Sequence, residues 1–344
     1  KRGKFAPSLL EGLDDDDDNA VEQDQLSYVT KSGKFEKDGF KFDKSGIQNS
    51  PQRGGEDFIP KIVQMRLEEL EIGDVLGRGA CSEVQKAVHP ETGRIIALKC
   101  FNVGDGTRRS QLITELRALV GGRCEQLITL LNAFFDEEKV FMALEFMDAG
   151  CLESIIKNRI APPEHVCAAI TKQIAQGLVF MHTEMKQMHR DLKPGNVLVN
   201  SKGQVKISDF GLARQMDNAG TAALAKTFLG TVLYLSPERM FGDNYTYSCD
   251  VWALGIIALE LATNTHPYAG KFNYIELLQT IVESPAPEAP GTFSADFQHF
   301  IKCCCDKKPE ERSPITQLLE HPWLRQAPDT SAVAAWLADG STTK

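Results

Sequence analysis

Two short stretches of this 344-residue chain hold side chains of the right kind and spacing to move a phosphoryl group. In MHRDLKPGNVLV, from Met188 to Val199, Asp191 offers a carboxylate that orients a hydroxyl and accepts its proton. Lys193 adds a mobile cation for the transferring group, and Asn196 an oxygen ligand for magnesium. In KISDFGLA, Asp209 supplies a second hard oxygen ligand, Phe210 a side chain to pack and Gly211 the freedom to bend. The bland alternative, a turn capped for structure alone, leaves the pairing of both motifs in this order unexplained, and it survives only for an inactive enzyme.

Upstream, LGRGACSEVQKA places Gly77 and Gly79 in a tight strand-to-strand turn whose backbone can lie close over phosphates. Taken alone this is equally a plain hairpin, and a dinucleotide fold is disfavoured because a strand pattern, not a helix, follows. Lys99 then lies inside the apolar run IIALKC. A buried ammonium needs a partner, and Glu115 in SQLITELRALV is the natural one; the competing reading is a lysine that snorkels out of the sheet.

These groups must be positioned by two kinds of structure. From Leu67 the chain reads as short β-type runs, LEIGDVLG, CSEVQKAVH and RIIALKCF, with the turn HPETG between the last two, then a helix around Glu115 and the strand VFMALEFM. After MDAG it becomes mostly helical, clearest in HVCAAITKQIAQGLVFMHTEM and in DVWALGIIALELATN, the latter apolar on nearly every face as a central helix should be. ESPAPEAPG reads as a surface loop, and no internal repeat is present. Ahead of all this, the first sixty or so residues, with the acidic run Asp14 to Asp18, read as a solvated linker. Within them, KSGKFEKDGFKFDKSGI alternates aromatic and polar residues in the manner of a short strand or hairpin docking on the body.

Composition bounds the remaining classes. A net charge of -9 argues against a nucleic-acid surface, which needs clustered Lys and Arg. No apolar run is long enough to span a bilayer and no signal-peptide core is present, so the expected location is the cytoplasm, with the nucleus open as a second one. The nine cysteines, without a CxxC pair, read as reduced thiols.

Taken together, the motifs from Leu67 to about Arg325 resemble the eukaryotic protein kinases, which implies an α+β bilobal fold: a small β-rich lobe with one main helix and a larger helical lobe. The expected division is an N-terminal extension over 1–66, a small lobe with hinge over 67–147, a large lobe over 148–326 and a tail over 327–344. By this resemblance ATP is held by Leu76, Gly77, Gly79, Val84, Ala97, Lys99 and Leu198. Leu144 guards the back of the adenine pocket, and Glu145 to Met147 form the hinge. Lys99 pairs with Glu115, Asp191 is the catalytic base with Lys193 beside it, and Asn196 and Asp209 hold magnesium. Glu238 and Arg312 would form a structural ion pair, and Asp250 would brace the loop of Arg190 and Asp191. Ser82 departs from a third glycine in the turn, which would tune nucleotide binding without abolishing it.

Ser236 before Pro237 and Glu238, together with EFMDAGCLESIIK, resembles the mitogen-activated protein kinase kinases, which phosphorylate the Thr and Tyr of a Thr-x-Tyr loop in a downstream kinase. Ala223 breaks the animal pattern of activation-loop hydroxyls, whereas Thr221 and Thr227, with five residues between them, satisfy the plant-type one. Phosphorylation there would balance Arg190, and Thr231 would shape the substrate loop and support Asp191. The resemblance therefore implies an upstream activating kinase and a downstream substrate kinase, and KRGKFAPSLL with Leu9, Leu10 and Leu13, basic first and apolar after, reads either as a docking peptide for that substrate within residues 1–13 or as a solvated basic terminus. GACSEVQKAVH with GTVLYLSPER looks closest to the branch that carries an extra nuclear-transport-factor-like domain; only a short tail follows Trp323, so either the sequence stops short of that domain or the resemblance fails at that end. The alternatives are a kinase of another tier and, less favoured because Lys99, Asp191, Asn196 and Asp209 are all present, an inactive scaffold.

Overall fold

In the computed structural model, residues 34–49, 63–79, 82–103, 106–120, 124–210, 232–270 and 274–340 are described. Their first half is built on strand alternation. Along β6 (Arg94–Asn102) successive side chains point to opposite faces, so Ile96 and Leu98 enter one apolar layer while Ala97 and Lys99 face the other way. β6 is the middle of a five-stranded antiparallel sheet with β4 (Glu71–Arg78), β5 (Ser82–His89), β7 (Leu130–Asp136) and β8 (Lys139–Glu145), in the order β4-β5-β6-β8-β7. The register sets Lys99 opposite Val84 on one side and Met142 on the other, and Ala97 opposite Leu144. The helix α1 (Gly106–Val120) buries Leu112 and Leu116 completely, and Glu115 lies on that same inward stripe.

The linker reading of the first sixty or so residues does not hold for 34–49. There β1 (Phe35–Lys37), β2 (Phe40–Asp43) and β3 (Gly46–Asn49) form an antiparallel meander. Its aromatic residues are the reason: Phe35, Phe40 and Phe42 are fully buried, and the Phe35 ring lies 5.9 Å from that of Phe135 on β7. Asn132, also on β7, accepts from Ile47 N at 3.0 Å through Oδ1 and donates to Val63 O at 3.2 Å, so one buried amide ties both upstream segments to the sheet.

The second half is helical. A three-stranded patch of β9 (Gly150–Cys151), β10 (Val197–Val199) and β11 (Val205–Ile207) lies between the helices α2 (Leu152–Asn158) and α3 (Glu164–Thr183) and the cleft motifs. After α4 (Pro237–Phe241) comes α5 (Ser248–Thr263), in which Trp252, Leu254, Ile256, Ile257, Ala258 and Leu261 are all buried, as its all-round apolar pattern requires. The chain continues through α6 (Tyr274–Glu283), α7 (Ala295–Cys304), α8 (Ile315–Leu319), α9 (Pro322–Arg325) and α10 (Thr330–Ala338). α7 crosses close to α5 at Gly255, where a Cβ would stand 2.5 Å from Cys305 Sγ. Burial there raises the thiol pKa of Cys305 to about 12, which makes it an inert core group. The tail is more than a loose end: Asp329 caps α10, and Val333 and Leu337 are buried. No helix among the described residues is long and apolar enough to cross a membrane.

Candidate active site

Lys99, Glu115 and Asp209 come from β6, α1 and the residues after β11, and the fold brings them to one point. Lys99 Nζ donates to Glu115 Oε1 at 2.6 Å and to Asp209 Oδ1, with Lys99 4% and Glu115 2% exposed. Burial by itself disfavours the ammonium, but the carboxylates of Asp209 and Glu115 outweigh it and hold the Lys99 pKa above its ordinary value. Burial likewise raises the Glu115 pKa against the pull of Lys99, whereas for Asp209 the lysine wins over burial and its carboxyl sits below the usual range. The lysine is therefore a fixed cation at the back of the cleft, not the snorkelling residue of the competing reading.

The catalytic-loop residues form a second cluster. Lys193 Nζ donates to Asp191 Oδ2 at 3.0 Å and Oδ1 at 3.2 Å. Asn196 Nδ2 donates to Asp191 O at 2.7 Å and to Asp191 Oδ2 at 2.9 Å, so the amide is oriented with its Oδ1 turned from that carboxylate. Ser208 N donates to Asn196 O at 2.9 Å and joins this loop to the segment after β11 that carries Asp209. His189 accepts from Asp191 N through Nδ1 and donates from Nε2 to Ser208 O at 2.9 Å, a second tie between the same two segments.

Asp250, in the first turn of α5, is the hub beneath the loop and is 1% exposed. Its Oδ2 accepts from His189 N and His182 Nε2 and its Oδ1 from Arg190 N, each at 2.8 Å. Burial alone would raise its pKa, but the His182 bond and the neighbouring imidazoles and amides hold it below the usual carboxylate range. Arg190 has φ 67° and Asp209 φ 63°, left-handed conformations that persist only where surrounding contacts impose them. Arg239 Nη1 donates to Arg190 O and adds one such contact. Lower in the lobe, Arg312 grips Glu238 with two bonds of 2.8 Å and reaches Ser248 O and Asp306 O, with its guanidinium 5.1 Å from the Trp252 ring centroid.

At the hinge, Glu145 N donates to Thr129 O, and the Glu145 side chain accepts from Thr129 N at 2.8 Å and from Lys206 Nζ at 2.6 Å. Both side-chain contacts fall on Oε1, so the carboxylate and the backbone N–H of Glu145 together tie this segment to Thr129 and Lys206. Leu144 is buried opposite Ala97, Met147 is buried, and Leu198 sits on β10 opposite Cys151. Sequence reading missed the role of Lys206; the available signal was a lysine inside the buried strand VKI. It also missed Gln187, whose Nε2 donates to Phe210 O at 3.3 Å.

The residues present suit a nucleotide with a divalent cation. Asn196 and Asp209 are hard oxygen donors of the kind such an ion takes. Gly77 does not lie in the turn where the sequence places it: Leu76 and Gly77 stand near the end of β4, where Gly77 pairs with Val84 and a Cβ on it would meet no described atom within 4 Å, whereas Gly79 N donates to Ser82 O at 2.8 Å and a Cβ there would stand 3.5 Å from Ser82 Oγ. Gly211, Thr221, Thr227, Thr231 and residues 1–13 lie outside the described residues.

A family model described as protein kinase domain matches residues 70–324. The chain is 37% identical to mitogen-activated protein kinase kinase 2 of Arabidopsis thaliana, over 95% of this chain and 91% of that protein. It is 35% identical to mitogen-activated protein kinase kinase SIPKK of Nicotiana tabacum, over 96% of this chain and 94% of that protein. The chain belongs to the mitogen-activated protein kinase kinase family. It is also 38% identical to mitogen-activated protein kinase kinase 3 of Arabidopsis thaliana, there over 76% of this chain and 51% of that protein. This kinase is accordingly an ATP-dependent protein kinase that uses a divalent metal ion, with the α+β bilobal fold of its family. Two hydrogen-bonded clusters are thus present in the structure, Lys99 with Glu115 and Asp209, and Asp191 with Lys193 and Asn196.

Proposed function

We propose that this kinase is dual-specific, transferring the ATP γ-phosphoryl group to both the Thr and the Tyr of a downstream mitogen-activated protein kinase's activation loop. Similarity to mitogen-activated protein kinase kinases along nearly the full length of both chains carries this reading. The Asp191, Lys193 and Asn196 cluster supports turnover, because it is assembled and hydrogen-bonded. Asn196 and Asp209 would hold the magnesium ion that accompanies ATP, which would offset the charge of the phosphates. Asp191 orients the incoming hydroxyl and takes its proton, Lys193 beside it offers positive charge, and Lys99 grips the phosphates. The hinge from Glu145 to Met147, Leu144 behind it, and Leu76, Gly77, Gly79, Val84, Ala97 and Leu198 enclose the nucleotide.

An upstream kinase switches the enzyme on by phosphorylating Thr221 and Thr227, whose new charge is balanced by Arg190. Residues 1–13 dock the substrate kinase, and the enzyme works in the cytoplasm, with the nucleus open as a second location. The test uses a catalytically dead mitogen-activated protein kinase as substrate, with the Asp191→Asn enzyme as control, and maps phosphosites by mass spectrometry. Phosphate on both the Thr and the Tyr is the expected result, and phosphate confined to Ser or Thr elsewhere would place the enzyme in another tier. In the same assay Thr227→Ala abolishes activation by the upstream kinase; full activation of both Thr227→Ala and Thr221→Ala would remove the switch.

A further inference from the structure

The large lobe carries a cluster of metal-ligating side chains that phosphoryl transfer does not use. His299 and Cys303 stand one turn apart on α7, and His321 precedes α9; their three ligand atoms lie within 4.8 Å of one another. His299 Nδ1 and His321 Nε2 are 2.8 Å apart, and Cys303 Sγ is 3.7 Å from His299 Nδ1. We propose that His299, Cys303 and His321 form a binding site for a divalent cation of the zinc class, outside the nucleotide cleft.

The donor set selects the ion. Two imidazoles and a thiolate suit a borderline metal such as zinc, and disfavour the hard, oxygen-seeking ion of the catalytic cleft. Bond lengths of about 2.0–2.1 Å to nitrogen and about 2.3 Å to sulfur put tetrahedral ligands ~3.3 Å apart for N···N and ~3.6 Å for N···S. The Cys303 Sγ to His299 Nδ1 spacing already matches, His321 Nε2 lies within 4.8 Å of the sulfur, and the nitrogen spacing opens by about half an ångström when an ion replaces the proton that now joins the rings.

The two rings are nearly coplanar, 18° apart with centroids at 5.1 Å, so they meet head to head and must swing toward Cys303 to converge on an ion. His299 is exposed and Cys303 half-buried, which leaves the α7 pair free to make that movement. His321 is the fixed member, packed edge-on against Phe300. Its Nδ1 accepts from Trp323 N at 3.2 Å, so in the metal-free chain Nε2 carries the hydrogen that His299 Nδ1 receives. Binding displaces that hydrogen to Nδ1 and the thiol proton to solvent, and the cap of α9 gives up one bond in exchange for three metal bonds. The ion then clamps α7 to α9 and leaves a fourth position open to water or to a side chain of a partner.

The full chain, treated with chelator and then titrated with Co²⁺, tests the site. Thiolate-to-cobalt absorption at one ion per chain is expected, with competition by Zn²⁺; an oxygen-ligand nucleotide site gives no such band. Cys303→Ser should abolish the band, and His299→Gln should weaken binding about 10-fold or more, while Cys151→Ser leaves both unchanged. The thermal midpoint of the wild-type chain should rise with Zn²⁺ and that of Cys303→Ser should not. Absence of the band in the wild type, or its persistence at full strength in Cys303→Ser, would overturn the assignment. His299→Gln and Cys303→Ser change solvent-accessible positions, so a folded variant is available for each measurement.

Discussion

Replacing Asp250 by Asn isolates the brace beneath the catalytic loop, because the side chain keeps its shape and loses only its charge and one acceptor. Three donors converge on this carboxylate, from His182, His189 and Arg190, and no orientation of an amide satisfies all three. At least one N–H is left facing an NH₂ group in a site that is 1% exposed. Breaking a buried charged network of this kind costs about 3–5 kcal/mol. For a domain of this size each kcal/mol is worth about 2–4 °C, so the thermal midpoint should fall by about 10 °C. The activity loss has a separate origin. Asp250 holds Arg190 N, Arg190 is in the left-handed region, and Asp191 is the next residue, so a small shift of the loop misplaces the group proposed above as the proton acceptor. Misplacement on the order of 1 Å is worth about 100-fold in kcat. Steady-state kinetics well below the midpoint should show that loss in kcat with KM for ATP little changed, since Lys99 and the glycine turn do not touch this network. The stability gap also has a pH signature. A carboxyl whose folded pKa is depressed contributes stability above its ordinary value of 3.8, and that contribution is lost as pH falls through the lower folded value. The difference between Asp250→Asn and wild type should thus be full at neutral pH and shrink below about 3.8. A variant with wild-type kcat and an unchanged midpoint at neutral pH would refute the reasoning.

Two further outcomes follow from the large lobe. Arg312→Lys replaces a fork by a single ammonium and forfeits one of the two Glu238 bonds and the reach to Asp306 O. It should destabilise the kinase by about 3 kcal/mol in chemical denaturation while leaving the specific activity of the folded fraction intact. His266 is buried with its pKa lowered to about 4 from an ordinary 6.5 by loss of solvent, so it folds neutral. The unfolded chain binds this proton between those values, and folding stability should fall as pH drops from 6.5 to 4. In His266→Asn the part of that slope owed to His266 should vanish in a thermal-melt series across the same range.

The grouping of side chains was legible in the sequence wherever it is local. Asp191, Lys193 and Asn196 lie within one tight turn, so their spacing announced the cluster that the structure assembles. Alternation placed Lys99 in a strand and helical spacing placed Glu115, since both periodicities follow from backbone geometry alone. What no window of sequence contains is which distant groups meet. The Lys99 contact with Asp209 spans 110 positions, and the Asp250 bonds to the catalytic loop span 60 or more. The alternating aromatic residues of 34–49 announced a strand without saying that they would close over β7, and the apolar AVAAWLA segment did not announce its dock at Gly203, where a Cβ would stand 2.7 Å from Ala334 N. His299, Cys303 and His321 carry no motif, and only the packing of α7 against α9 makes them a cluster. Local geometry and residue chemistry are written in the order of the chain, whereas long-range pairing is decided by how the apolar faces fit together, and that fit exists only in the folded molecule.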